Sequence, residues 1–277
     1  MKLLGRRALG QTIAVVGSYI PFCRTGSAAM MATATKHKVI DSHLHVWADT
    51  QEASHGFPYI QDPPDSLKDE GSYHALLQQM EKSGVDGALI VQPAVHKMDH
   101  SYVEKALAVH PDKFKGMFLH DPTLPEEKAL QKLSEFAAKG FVGVRFNPYL
   151  WPSLGEKKWF LMSEGAGLAV FKRCGELRMP VGIMCFQGLS LHYDDIVQLA
   201  EKCPETTLIL DHFGFTAIDD QASFEQLLSL QKFAQVYVKV SALFRLKDTS
   251  PFQRVYSEHF LPLLQSYGAN RLLYGSC

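Results

Sequence analysis

Several signatures that would fix a chemistry are missing from this 277-residue chain. There is no Gly-x-Ser-x-Gly turn and no Gly-x-x-x-x-Gly-Lys-Ser/Thr loop, which removes the support for acyl-enzyme serine hydrolysis and for P-loop nucleotide chemistry. Cysteine is sparse: Cys23, Cys174, Cys185, Cys203 and Cys277 are odd in number and form no C-x-x-C pair. They read as reduced thiols of an intracellular protein, not as a disulfide framework. No stretch reaches the roughly 18 consecutive apolar residues of a membrane span. An excess of charge of one sign is also lacking. The formal net charge is -1 and no Lys/Arg run forms a phosphate-binding stripe, so neither nucleic acid nor membrane is an expected partner.

Acidic residues are absent before Asp41, whereas Lys2, Arg6, Arg7, Arg24, Lys36 and Lys38 all lie in that stretch. Small and hydroxyl residues cluster between Thr25 and Thr35. A basic, acid-free, hydroxylated leader over 1–37 has the composition of a chloroplast or mitochondrial transit peptide. A disordered extension, or initiation at Met30 or Met31, accounts for the same composition and would leave the protein in the cytoplasm. A secretory signal is disfavoured, because Gln11, Gly17 and Ser18 break the apolar run Leu9–Ile20. Oligomeric state cannot be read from the sequence.

What is present begins at residue 38, with ample apolar material for a core (46% hydrophobic residues). Eight short apolar runs rich in β-branched and aromatic residues recur: 39–46, 85–93, 114–120, 141–147, 181–187, 208–213, 236–243 and 272–275. Seven segments of helical period separate them: 73–82, 102–109, 126–138, 168–177, 194–202, 223–233 and 252–267. Nearly continuous apolar strands suit a parallel sheet covered on both faces. Alternation of this kind predicts a (β/α)8 TIM barrel over 38–277, ending at strand eight and without a last helix. An open doubly wound sheet is the structural alternative, but no G-x-G-x-x-G follows the first strand. The longest connections, 48–65 and 148–164, follow strand C-terminal ends, the side on which barrel enzymes build their sites.

Polar residues at those ends are the candidates. Asp41-Ser-His-Leu-His45 closes the first strand, and period-two alternation aims His43 and His45 at one point. Asp41 shares their face, either orienting an imidazole or lying nearer the barrel floor. His212, after Leu208-Ile-Leu-Asp, fits a third ligand or a proton-transfer group, with Asp211 expected to point away. Arg145 suits a substrate carboxylate, or else a salt bridge to a neighbouring acid, and Asn147 shares its face. Gln92 and Gln187, ending strands two and five, His120 and Asp121, ending strand three, and Lys239 and Ser241 along strand seven are weaker candidates; Asn147, Gln92 and Gln187 are taken as the substrate contacts beside Arg145. His96, His100 and Tyr102 lie in a loop within reach of a substrate, whereas His192 and His259 are expected to face solvent.

Taken together, Asp41–His45, Gly143-Val-Arg-Phe-Asn147, Leu210-Asp-His-Phe-Gly214 and Arg271-Leu-Leu-Tyr-Gly-Ser276 resemble the amidohydrolase superfamily over about 38–276. The likeness is to its amidohydrolase-related branch of dicarboxylate and sugar lactonases and, more distantly, non-oxidative decarboxylases. The resemblance implies a (β/α)8 barrel that hydrolyses a carboxylate-bearing lactone or a related cyclic ester or amide. It implies His43, His45 and His212 as catalytic residues, and as the metal ligands in members that hold a divalent cation, zinc being the expected one. Other members work without a metal. It implies Arg145 as the carboxylate-binding arginine. Members usually continue after Gly-Ser with an Asp that binds metal and takes the proton of water; Cys277 stands there instead. That departure carries the expectation of a truncated isoform, less stable and inactive. A metal-dependent decarboxylase and a non-catalytic barrel are the alternatives.

Overall fold

The eight apolar runs become eight parallel strands in the computed structural model, which describes residues 37–152, 154, 160–246 and 252–277. The expected leader, 1–37, lies outside the described residues except for His37. The strands are β1 (Ile40–Leu44), β2 (Gly87–Val91), β3 (Phe114–Leu119), β4 (Phe141–Phe146), β5 (Val181–Ile183), β6 (Leu208–Leu210), β7 (Val236–Val240) and β8 (Leu272–Tyr274). They are hydrogen-bonded in chain order, every neighbouring pair parallel. This is a (β/α)8 barrel.

The helices are α1 (Thr50–Ser54), α2 (Tyr73–Ser83), α3 (Ser101–Val109), α4 (Glu126–Ala138), α5 (Gly165–Glu176), α6 (Tyr193–Lys202), α7 (Gln221–Ser229) and α8 (Leu261–Tyr267). Local sequence sets their ends. Ser72 caps α2 by accepting from the Ala75 N–H at 3.2 Å, and Gly84 closes it in the left-handed conformation at φ 69°. The expected last helix begins as a π-helical turn, Val255–Phe260, before α8. The short α1 interrupts the long first connection. Its signal was in the sequence as a capping box, Asp49 and Glu52. No described helix is long and apolar enough to cross a membrane.

Strands β5, β6 and β7 end three or more residues before their apolar runs do. His212, Phe213 and Ala242 take left-handed φ of 52°, 54° and 50°, which turns the chain off β6 and β7. Gly188, at φ 115°, follows the irregular segment after β5. Inside the barrel, Met117 fills the floor. A Cβ on Gly143 would lie 3.0 Å from its Cε, and one on Gly182 would lie 3.1 Å away. The same Gly182 position lies 3.9 Å from Asp211 Oδ1, so the carboxylate rests directly above this floor.

The first and last strands meet through backbone and carboxylate. Ser42 Oγ donates to the Tyr274 carbonyl, the Ser276 N–H reaches the two Asp41 oxygens at 3.2 and 3.1 Å, and the Cys277 N–H donates to the His43 carbonyl at 2.9 Å. Asp41 therefore orients no imidazole; it joins β1 to the end of β8. The outer face here is thinly covered by described residues, with Val39, Ile40 and Tyr274 at 48%, 52% and 62% exposure.

Gly275 is required by this closure. A Cβ there would lie 2.7 Å from His43 Cβ and 3.1 Å from its backbone nitrogen. Gly275→Ala is expected to destabilise by about 1–3 kcal/mol, some 2–10 °C in thermal unfolding. An unchanged Tm would show that β1 and β8 do not approach each other in this way.

Candidate functional site

The site grows from Asp211, at the mouth just past β6. Its neighbour His212 adopts φ 52°, so strand alternation no longer holds and both residues turn inward. This corrects the expectation that Asp211 faces away. Its Oδ1 lies 3.2 Å from His43 Nδ1 and 3.4 Å from Lys239 Nζ. Its Oδ2 accepts from Arg145 Nε at 3.3 Å and Nη2 at 3.2 Å. All four side chains are buried. Burial alone would raise the Asp211 carboxyl, but Lys239, His43 and Arg145 together hold it well below the usual carboxylate range. Burial pulls Lys239 below its ordinary value against the opposing pull of Asp211.

Three imidazoles surround this cluster. His43 sits 4.5 Å from His212 and 5.1 Å from His45, ring centre to ring centre. Its Nε2 is buried with no hydrogen-bond partner among the described residues. His45, just past β1, donates from Nδ1 to the Val91 carbonyl at 2.8 Å, which leaves Nε2 bare. His212 Nδ1 pairs with Ser241 Oγ at 2.7 Å, and its Nε2 lies 3.8 Å from Cys277 Sγ. Burial keeps all three neutral. It pushes His43 well below the ordinary histidine value, His45 to about 3, with Arg145 adding to the effect, and His212 to about 4, against Asp211.

Of the expected residues, His43, His45, His212 and Arg145 converge. No described hydrogen bond links Gln92, Asn147 or Gln187 to the histidines. Gln92 is buried and its amide donates to the Lys97 and Asp99 carbonyls at 3.0 and 2.7 Å, which holds the loop after β2. Asn147 Oδ1 accepts from the Tyr149 N–H at 3.3 Å, capping the turn Pro148–Leu150. Gln187 is exposed beyond the end of β5, its backbone N–H on the Tyr149 hydroxyl. The loop candidates also hydrogen-bond within the protein. His96 and His100 accept from the Ala48 and Leu119 N–H groups, and Tyr102 donates to Glu52. His192 and His259 are buried, not solvent-facing.

Sequence reading underrated Lys239 and Ser241. A lysine in Val236-Tyr-Val-Lys-Val was the available signal, since an apolar strand buries a charge only when something pairs it. It missed Arg245 entirely. Arg245 lies in the loop after β7, its Cζ 5.2 Å from the Phe186 ring centre and 5.1 Å from that of Phe244. No described carboxylate pairs with it. Phe186 contacts Phe215 at 5.7 Å, and Phe215 contacts His212 at 5.2 Å. An aromatic rim thus runs from the imidazoles to a guanidinium with no carboxylate partner among the described residues.

His43, His212 and Cys277 place one donor atom each within 4.8 Å of one another. That set, two imidazoles and a thiol with an orphaned Nε2 among them, is of a kind that holds a borderline divalent ion. His45 lies outside the group, contrary to the expected ligand set.

The amidohydrolase family model matches residues 40–276. The chain is 27% identical over 246 residues to 4-sulfomuconolactone hydrolase of Rhizobium radiobacter, covering 85% of this chain and 74% of that protein. Among solved structures, it is similar to a probable 2-pyrone-4,6-dicarboxylic acid hydrolase from Acinetobacter baumannii with citric acid bound. That likeness has a TM-score of 0.69 at 21% identity and covers 87% and 84% of the two chains. It is also similar to a dihydroxybenzoic acid decarboxylase from a Polaromonas species with bound manganese, with a TM-score of 0.58 at 13% identity, covering 86% of each chain.

Two expected outcomes follow from the buried charges. His100, His120 and His212 are each held at about 4 by burial, below the 6.5 of a free histidine. The unfolded chain therefore binds more protons between these values. Their stabilisation is complete above about pH 6.5 and is lost as pH falls toward about 4, at about 1.4 kcal/mol per histidine per pH unit. Urea unfolding at stepped pH measures this, and a flat midpoint between pH 7 and 5 contradicts it. Separately, Asp211→Asn strands two buried cations and is expected to cost about 3–5 kcal/mol in the same assay, with a loss below 1 kcal/mol contradicting the ion-pair geometry.

Proposed function

The chain belongs to the amidohydrolase family, and we propose that it hydrolyses a small lactone, or a related cyclic ester or amide, carrying a carboxylate. The observation that carries this reading is the charge of the site. One buried carboxylate, Asp211, faces two buried cations, Arg145 and Lys239, among three neutral imidazoles. The excess is positive, which favours an anionic substrate and an oxyanion formed from it.

Roles follow from the contacts. Arg145 is tied to Asp211 through Nε and Nη2, so its charge acts on the substrate chiefly through its field. Arg245, stacked on Phe186 and Phe244 at the rim and without a carboxylate partner among the described residues, takes the carboxylate. Its planar fork suits that group, and the flanking Phe186 and Phe244 accept a flat ring. His43 polarises the scissile carbonyl, and the bare Nε2 of His45 accepts a hydrogen bond from the attacking water. His212, steadied by Ser241, orients water and carries its proton. The water oxygen bonds to the carbonyl carbon, the ring C–O (or C–N) bond breaks, and the leaving atom takes the proton from His212.

His43, His212 and Cys277 are the residues that would hold a divalent ion, zinc being a good match for nitrogen and sulfur donors. Such an ion, when bound, polarises a carbonyl and acidifies water. Small molecules are the proposed partners.

The likeness to a decarboxylase is one of fold, so turnover decides between the two chemistries. On a panel of lactones with and without a carboxylate, the carboxylated members are expected to be opened. Arg245→Met is expected to raise KM at least tenfold for these and to leave neutral lactones within about twofold. His212→Ala is expected to lower kcat/KM by roughly 10²-fold or more. Carbon dioxide release from hydroxybenzoates with no lactone opening would replace this reading.

A further inference from the structure

We propose that Lys239 is a positioning residue that places the imidazole proton of His43 on Nε2, so that the site presents a hydrogen-bond donor to a substrate oxygen and admits a divalent cation only when that proton moves. The inference deepens the hydrolase reading by saying how the carbonyl is held, but its test does not require turnover.

The argument is one of donors and acceptors in a closed triangle. His43 Nδ1, Lys239 Nζ and Asp211 Oδ1 are separated by 3.0 Å (Nδ1–Nζ), 3.2 Å (Nδ1–Oδ1) and 3.4 Å (Nζ–Oδ1). The three side chains are at most 1% exposed, so bulk water does not settle the pairing. An ammonium only donates, a carboxylate only accepts, and a neutral imidazole has one nitrogen of each kind.

Two arrangements exist. If Nδ1 carries the proton and donates to Asp211, the ammonium faces an N–H at 3.0 Å, donor against donor, and loses its shortest contact. If Nε2 carries the proton, the ammonium donates both to the Nδ1 lone pair and to Oδ1 and bridges the two acceptors. Asp211 does not need His43 as a donor, because Arg145 already supplies two N–H groups to Oδ2. The second arrangement gives Lys239 two acceptors and leaves the His43 Nε2–H without a partner among the described residues.

That atom is buried with no partner, beside the His212 ring at 4.5 Å. A buried unpaired donor costs about 1–3 kcal/mol, and this cost is relieved when a carbonyl oxygen or oxyanion arrives. A cation meets the same position as an N–H and, beyond it, the Lys239 charge. Removing Lys239 frees Nδ1–H to donate to Asp211, the carboxylate–histidine arrangement that exposes a lone pair to a metal.

The test is the protonation pattern of His43 in the full chain labelled with ¹⁵N-histidine, read by two-bond ¹H–¹⁵N correlations and assigned by the signals lost in His43→Asn. The expected result is a neutral ring protonated at Nε2. Lys239→Met is expected to move the proton to Nδ1 and to tighten binding of zinc alone, by competition titration, at least tenfold. A ring protonated at Nδ1 in the unaltered protein overturns the proposal, as does a folded Lys239→Met protein with unchanged tautomer and zinc affinity. If Lys239→Met fails to fold, the spectrum of the unaltered protein decides alone. Absence of lactone turnover would sink the hydrolase reading and leave the tautomer result standing.

Discussion

A single carboxylate organises the barrel mouth. Asp211 is buried among Arg145, Lys239 and His43. Neither cation would be tolerable in that interior without it, and Asp211 would not remain ionised without them. The four residues come from β4, the end of β6, β7 and β1. The network therefore cross-links elements that the chain brings together only through the closed parallel sheet. The left-handed turn at His212 is part of the same construction, since it puts two adjacent residues on the inside, Asp211 among the cations and His212 beside the His43 ring.

Below the network Met117 plugs the floor in the space that Gly143 and Gly182 leave open, and above it the loops after β5, β6 and β7 raise an aromatic wall ending in Arg245. Chemistry is thereby confined to one end of the barrel. Within the Asp211 network two cations stand against one carboxylate, and the neutrality of the histidines follows from burial. A site of this sort is arranged in advance for negative charge that develops on oxygen.

Much of this was legible in the sequence. All eight strands and the seven intervening helices follow from apolar runs and their periods, and the pair His43 and His45 follows from alternation along β1. The inward turn of Asp211 was not legible, because period two describes a strand and the chain leaves β6 at Leu210. The pairing of Arg145 with Asp211 needed that turn to be known. The loop contacts of Gln92, Asn147 and Gln187 were hidden for a related reason: a polar residue near a strand end looks the same whether or not it also ties down its own loop. Lys239 carried a readable signal, a charge within an apolar strand. What it touches, on strand one and beyond strand six, became clear only in three dimensions.

The central claim is that Asp211 is a permanent anion held by its two cations and by His43. The most direct measurement is the carboxyl ¹³C shift of Asp211 in aspartate-labelled protein, followed from neutral pH downward and assigned with Asp211→Asn. The account requires an ionised carboxylate at every pH at which the fold survives. A protonation step at or above the ordinary aspartate value, in protein that is still folded, would contradict it.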